Sequence, residues 1–214
     1  MMNSPVASQS LVVLGHPLVC QAVAALRDRR TSSMDFRIHT RAIARALAYE
    51  ATRSLPFLEA PVETPIRTAV GGAVVEPVIA LPLLRAGLGM VDGFLEIVPR
   101  AATGHVGMRR DEQTLLPYEY YRNLPALDGA HLFILDPMLA TGGSVCATLA
   151  KLDLDATASC TLLSVIAAPE GVRAVHECYP MVGIWTAALD SGLDERGFIV
   201  PGLGDAGDRL WGTV

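Results

Sequence analysis

The sequence predicts an α/β domain built on a doubly wound, mostly parallel sheet. Five short apolar runs, at 78–84, 104–108, 132–135, 161–167 and 183–188, have helix-period segments between most of them. The chain has 214 residues and is 51% hydrophobic, enough to bury one sizeable core with strands covered on both faces. Two of the runs also end in glycine-bearing turns that lead directly into a helical pattern, LLRAGLG and LDPMLATGGS.

The elements follow in order. Residues 1–10 read as a loose tail and 11–214 as a single domain. Helices are expected at 18–29 and 35–53. In the second, Ile43, Ala46 and Leu47 form the apolar stripe, and Arg37, Arg41 and Arg45 form a polar ladder that reads as a solvated face. Ser32 or Ser33 is placed to cap it. The stretch 62–76 (VETPIRTAVGGAVVE) alternates and reads as a β-hairpin or arm turning at Gly71-Gly72. A strand at 78–84 precedes a helix at 89–98 and a strand at 104–108. Residues 112–124 are polar and aromatic without a helix period, so a second projecting arm or flexible loop is expected. A strand at 132–135, a helix at 144–153, a strand at 161–167, a helix at 169–178 and a strand at 183–188 complete the alternation. Right-handed crossovers then give the parallel sheet.

A net charge of −5 argues against a broad nucleic-acid surface. Cys20, Cys146, Cys160 and Cys178 show no C-x-x-C pairing, so free and mostly buried thiols are expected, with no disulfide framework or zinc site. The start of the chain lacks the basic region of a signal peptide, and Arg85 cuts the run at 78–84 well short of a membrane span. A soluble, cytoplasmic protein is expected.

The chemistry concentrates at the strand ends. After the run at 132–135, Asp136 and Pro137 stop the strand, since proline has no N–H for the ladder. Ala140-Thr141-Gly142-Gly143-Ser144 then opens a helix, a pattern that offers backbone N–H groups, hydroxyls and a positive dipole end to an anion. Asp136 is placed for sugar hydroxyls or a metal-bound water, so the segment suggests a ligand with a phosphate and a ribose. It is not a Walker loop, because no lysine stands in the turn. Arg85, with Gly87 and Gly89, makes a second strand–loop–helix with its own cation, suited to a diphosphate. Arg109 and Arg110 follow the third strand at the same sheet edge. FIVPGLGDAGDRLWG contains G-x-G-x-x-G at Gly202, Gly204 and Gly207, but lies too close to the end of the sequence for a dinucleotide fold. Its backbone can instead grip a flat polar base.

LLRAGLGMVDG, DPMLATGGS, AAPEGV and PGLGDAGDR, with HPL at 16–18 and DFR at 35–37, resemble the uracil phosphoribosyltransferase family in order and spacing. The resemblance spans nearly all of the chain after residue 14. It implies the type I phosphoribosyltransferase fold, with a small hood formed by N-terminal and C-terminal segments (about 190–214) and a β-arm. It also implies transfer of a phosphoribosyl group from phosphoribosyl diphosphate to uracil, giving UMP and diphosphate.

By position, Asp136, Pro137, Met138, Leu139, Ala140, Thr141, Gly142, Gly143 and Ser144 correspond to the phosphoribosyl-diphosphate loop. Arg85, with the backbone of Ala86 and Gly87, and Arg110 correspond to the diphosphate contacts. Ile199, Gly204 and Ala206 correspond to backbone contacts to uracil, and Asp205 to the acidic residue beside both substrates. Arg85, Arg110, Asp136 and Asp205 are thereby the implied catalytic set, and Mg²⁺ is implied mainly on substrate oxygens. A homodimer or homotetramer is implied as well, and GTP activation is a feature of some relatives only. Five positions depart from the usual pattern: Arg109 for an aromatic, Phe198 for tyrosine, Cys20 and Gln21 for basic residues and Ala156 for glycine.

Other readings stand beside this one. A pyrimidine-sensing RNA-binding regulator on the same fold would carry paired acids where this chain has Asp136-Pro137. A nicotinamide-dependent oxidoreductase rests on the misplaced glycine motif alone. A sister enzyme taking another base stays open, because backbone contacts are not legible in a sequence.

Overall fold

The computed structural model describes residues 10–75, 77–110 and 117–213. A short strand, β1 (Leu11–Val13), leads into α1 (Pro17–Arg27), opened by a proline and capped by the His16 ring accepting the Leu18 N–H. Helix α2 (Ser33–Ala51) is capped by Ser32, whose hydroxyl accepts the Asp35 N–H at 3.1 Å. Strands β2 (Phe57–Val62) and β3 (Ala69–Val74) form an antiparallel hairpin. Then come β4 (Val78–Leu84), α3 (Leu88–Ile97), β5 (Ala102–Thr103), β6 (His105–Arg110), β7 (Pro117–Asn123) and β8 (His131–Leu135). They are followed by β9 (Met138–Leu139), α4 (Gly143–Leu149), β10 (Ser159–Ala167), α5 (Pro169–Cys178) and β11 (Gly183–Leu189). A small hairpin, β12 (Gly192–Leu193) and β13 (Ile199–Val200), precedes α6 (Ala206–Trp211).

The main sheet runs β1-β11-β10-β8-β4-β6-β7, with β5 beside β4 and β9 beside β10. Every pairing in it is parallel except β6 with β7. Strand β4 passes to β6 on one side, and the chain then returns to lay β8 on its other side. The order therefore reverses between β4 and β8, and the crevice outside their carboxyl ends is where open α/β sheets bind ligands.

Alternate residues of the buried strands feed two cores. Phe133, Leu135, Leu163 and Val165 face α1, α2, α3 and α6, joined by Leu26, Ile43, Leu47 and Phe94. Leu132, Ile134, Leu162 and Ile184 face α4 and α5 through Val145, Leu149 and Val175. The Phe94 and Phe133 rings meet at 5.2 Å between centroids. No helix among the described residues is long and apolar enough to cross a membrane.

Several expectations are corrected. The hairpin turns at residues 63–68, where the Thr64 hydroxyl donates to the Arg67 carbonyl at 2.6 Å, while Gly71 and Gly72 lie inside β3 opposite Ala60 and Glu59. Those glycines serve close strand contact: a Cβ on Gly71 would lie 2.5 Å from Val62 Cγ2. Within 112–124, residues 117–123 form strand β7, and 111–116 lie outside the described residues, as do residues 1–9 of the expected tail. Tyr120 packs over Gly107, where a Cβ would meet its ring at 2.5 Å, so aromatic alternation marked a strand.

Pro137 ends donation but not pairing, because its carbonyl accepts the Val165 and Ile166 N–H groups, both at 3.0 Å, and β9 resumes beside β10. Helix α4 stops at Leu149, short of the expected 153. The arginine ladder of α2 is only partly a solvated face. Arg41 and Arg45 pair with Glu96 of α3, and Arg37 donates to the Leu210 carbonyl at 2.7 Å. The thiols are free, but Cys20 and Cys178 are exposed; Cys160 alone is fully buried.

Candidate active site

Two loops meet at the switch point. The first follows β4: Arg85 is exposed, Ala86 half-buried and Gly87 buried. A Cβ on Gly87 would lie 2.4 Å from the Leu135 carbonyl oxygen at the end of β8, so only glycine lets the two strand ends approach this closely. The Leu84–Arg85 peptide is cis.

The second loop follows β8. Asp136 is half-buried, and its N–H is spent on the Leu163 carbonyl at 3.1 Å. Burial pushes its carboxyl up to about 7, opposed by the Met138 N–H. Asp136 and residues 138–145 line a pocket of about 90 Å³. Gly142 opens α4 in the left-handed conformation, at φ 77°, and has no side chain to cap the helix; the Thr141 hydroxyl accepts the Gly143 N–H at 3.4 Å. A helix start beside a small pocket is suited to a phosphate. Gly171, in the first turn of α5, lies beneath this loop: a Cβ there would be 2.4 Å from the Ala140 carbonyl oxygen.

The chain's last segment closes over both loops. A Cβ on Gly207 would lie 3.9 Å from that of Ala86, and one on Gly197 would lie 3.9 Å from Thr141 Cγ2. Asp205 caps α6, accepting the Asp208 N–H at 3.0 Å. Arg85 Nη2 lies 3.8 Å from Asp208 Oδ1, which bridges the β4 loop to α6. Ile199 and Ala206 are buried, whereas Gly204 and Asp205 are exposed between them. Arg85, Asp136, the 137–144 loop and residues 199–206 are thus brought to one sheet edge. Arg109 and Arg110 do not follow a strand end as expected; they are the last two residues of β6, and their side chains lie outside the described part.

The family model for uracil phosphoribosyltransferase matches residues 13–213. The chain belongs to this family. The uracil phosphoribosyltransferase of Thermoanaerobacter sp. strain X514 is 47% identical over 96% of this chain and 99% of its own. That of Latilactobacillus sakei is 49% identical over 94% of this chain and 97% of its own. A solved structure from Aquifex aeolicus superposes with a TM-score of 0.89 at 37% identity, covering 94% of this chain and 97% of the other. A hypoxanthine-guanine phosphoribosyltransferase of Bacillus anthracis shares the fold at a TM-score of 0.52 and 7% identity, over 74% of this chain and 80% of its own.

Some contacts at this edge were not legible in the sequence. Asp190 is 8% exposed and pairs with Arg27, 163 positions earlier, and both touch the residue 199–206 loop. Glu170 Oε1 accepts the Leu193 N–H at 3.3 Å, fastening β12 to α5. A buried acid in the otherwise apolar run TAALD was the available signal for Asp190. Nothing local pointed to its arginine.

Proposed function

We infer that this chain transfers the phosphoribosyl group of phosphoribosyl diphosphate to uracil, giving UMP and diphosphate. The observation that carries this reading is the pairing, across the switch point, of the glycine-rich pocket loop at 136–144 with the Arg85 loop, in a member of this family. The bond from the anomeric carbon to diphosphate oxygen breaks, the uracil N1 bond to that carbon forms, and the N1 proton is lost. Positive charge develops on the ribose and negative charge on the leaving group, so catalysis is positioning and charge stabilisation without a covalent nucleophile.

In this reading the 5′-phosphate sits in the 137–144 cradle, and Asp136 holds the ribose beside the developing cation. Arg85 and Arg110 take the diphosphate. Backbone groups of Ile199, Gly204 and Ala206 hold uracil, with Asp205 beside both substrates. The donor set suits Mg²⁺ carried mainly by substrate oxygens. Among the described residues no three His, Cys, Asp or Glu side chains converge, and Asp136 supplies the carboxylate of the phosphate pocket. When bound, Mg²⁺ offsets charge on the diphosphate.

The exposed apolar side chains of the β2–β3 hairpin, Phe57, Leu58, Val62 and Val70, support self-association as a homodimer or homotetramer. GTP activation rests on the family resemblance alone. Phosphoribosyl diphosphate is a polyanion that does not cross apolar bilayers, which supports a cytoplasmic location. The test is a radiolabelled-base assay with phosphoribosyl diphosphate and Mg²⁺, offering uracil, cytosine, hypoxanthine and orotate in parallel. Conversion of uracil alone is expected; conversion of hypoxanthine but not uracil would overturn the reading.

A further inference from the structure

The 199–206 loop is held from behind by a charged cluster on the last turn of α1. Arg27 forms a two-pronged ion pair with Asp190, Nη1 lying 2.8 Å from Oδ2 and Nη2 contacting Oδ1. The same Nη1 donates to the Gly202 carbonyl at 2.8 Å, and Asp190 Oδ2 accepts the Gly202 N–H at 2.9 Å. Both backbone polar groups of one residue, in two successive peptide units, therefore end on one ion pair. Gly202 has φ +65°, and a Cβ there would lie 2.1 Å from the Ile199 carbonyl oxygen, so the clamped residue has to be glycine.

One residue further, the Leu203 carbonyl accepts Arg209 Nη1 at 2.8 Å. Arg209 also donates to the carbonyls of Leu26 and Asp28, the latter at 2.6 Å, and its guanidinium lies 4.5 Å from the centre of the Phe36 ring. Leu26, Arg27 and Asp28 thus form a single anchor for two successive loop residues. The Asp190 side chain is 3% exposed and that of Arg27 26%. The attraction between the partners outweighs the penalty of burying them, and the pair's remaining hydrogen-bonding groups are not left to solvent. Its hydrogen bonds go instead to the backbone that leads into Gly204.

A site that recognises a base through backbone groups discriminates only while those groups keep their spacing. A loop that relaxes can pair with a wrong base. We propose that Arg27, Asp190 and Arg209 are positioning residues for base recognition, locking the Gly202 and Leu203 backbone so that residues 204–206 present a fixed edge to a flat, polar pyrimidine. This rests on the reading of 199–206 as the base site.

The test compares wild type with Arg27→Lys, which keeps the charge and loses the fork, and with Asp190→Asn. KM for uracil is expected to rise about tenfold or more in each, with KM for phosphoribosyl diphosphate moving less than about twofold. Amide exchange at 202–204 should quicken, and preference for uracil over cytosine should fall. Equal rises in both KM values, or an unchanged uracil KM, would overturn the proposal. If Asp190→Asn fails to fold, Arg27→Lys and Arg209→Lys decide the matter. Exchange in the wild type with and without UMP separates the two layers. Absence of UMP protection anywhere in 199–206 removes the base site itself. Protection there, with uracil KM unmoved in the variants, removes only the clamp.

Discussion

Arg85 Nη2 lies 3.8 Å from Asp208 Oδ1, so the cation after β4 is aimed by the first turn of α6, more than a hundred positions later in the chain. The Arg85 side chain is 60% exposed, and an ion pair that open contributes about 0–1 kcal/mol to stability. Its consequence is placement, because it holds the guanidinium between the β4 loop and α6. Arg85→Ala is therefore expected to leave the melting temperature nearly unchanged while lowering kcat/KM by about 10²–10³-fold. Near-normal turnover at saturating substrate would remove Arg85 from the diphosphate.

Gly171 reports on the 137–144 loop from outside it. In a free helix Gly→Ala stabilises by up to about 1 kcal/mol. Here the added methyl would stand 2.4 Å from the Ala140 carbonyl oxygen and 2.9 Å from that of Leu139, both backbone atoms. Gly171→Ala is expected to destabilise by about 1–3 kcal/mol in thermal or urea melts. It should also raise KM for phosphoribosyl diphosphate with little effect on KM for uracil. A stabilised variant with normal kinetics would show that α5 does not set the loop's position.

The carboxyl of Asp136 is raised by burial to about 7 from a usual 3.8. The folded protein then holds a proton between these values that the unfolded chain has released. This group's contribution is most favourable below pH ~4 and is lost as pH rises toward ~7, on the order of 2–4 kcal/mol in all. Asp136→Asn should flatten that limb of the stability curve, measured by urea melts from pH 5 to 8. An identical slope in the variant would place the titration elsewhere.

Asp190 behaves in the opposite sense. Burial opposes its charge, but the Arg27 hydrogen bonds, the Gly202 N–H and the arginine's charge outweigh this and hold the carboxyl below its usual range. The pair's stabilisation is present above the unfolded value near 3.8 and fades as pH falls through the lower folded value. Acid melts between roughly pH 4 and 2 should fall less steeply for Asp190→Asn than for the wild type. Equal acid limbs would mean the pair is already broken in solution.

Much of the frame was legible in the residues. The apolar run at Val78–Leu84 and the proline that opens α5 at Pro169 mark elements that the structure reproduces, because a buried parallel strand is a continuous apolar run and proline suits a helix start. Glycine was the less reliable sign. Gly71-Gly72 reads as a turn but lies within β3, where space opposite Val62 and Phe57 selects it. The turn was set instead by Thr64, whose hydroxyl also accepts the Arg67 N–H at 3.2 Å. Helix α6 hid in GLGDAGDR, although Asp205 three residues before Asp208 is a capping signature that could have exposed it.

The features legible in the residues are local: strand and helix periods, the glycine-rich loop after β8, the cation after β4 and the family to which these motifs belong. Such features depend on neighbours a few residues apart, so they are written in order along the chain. Only the tertiary structure decided which charges meet. Arg27 reaches Asp190 across 163 positions and Arg209 reaches Leu26 across 183. Those partners are chosen by the strand order, which carries the end of the chain back over α1. The motifs therefore named the family, while the packing of distant segments decided which groups hold the backbone at Gly202 and Leu203.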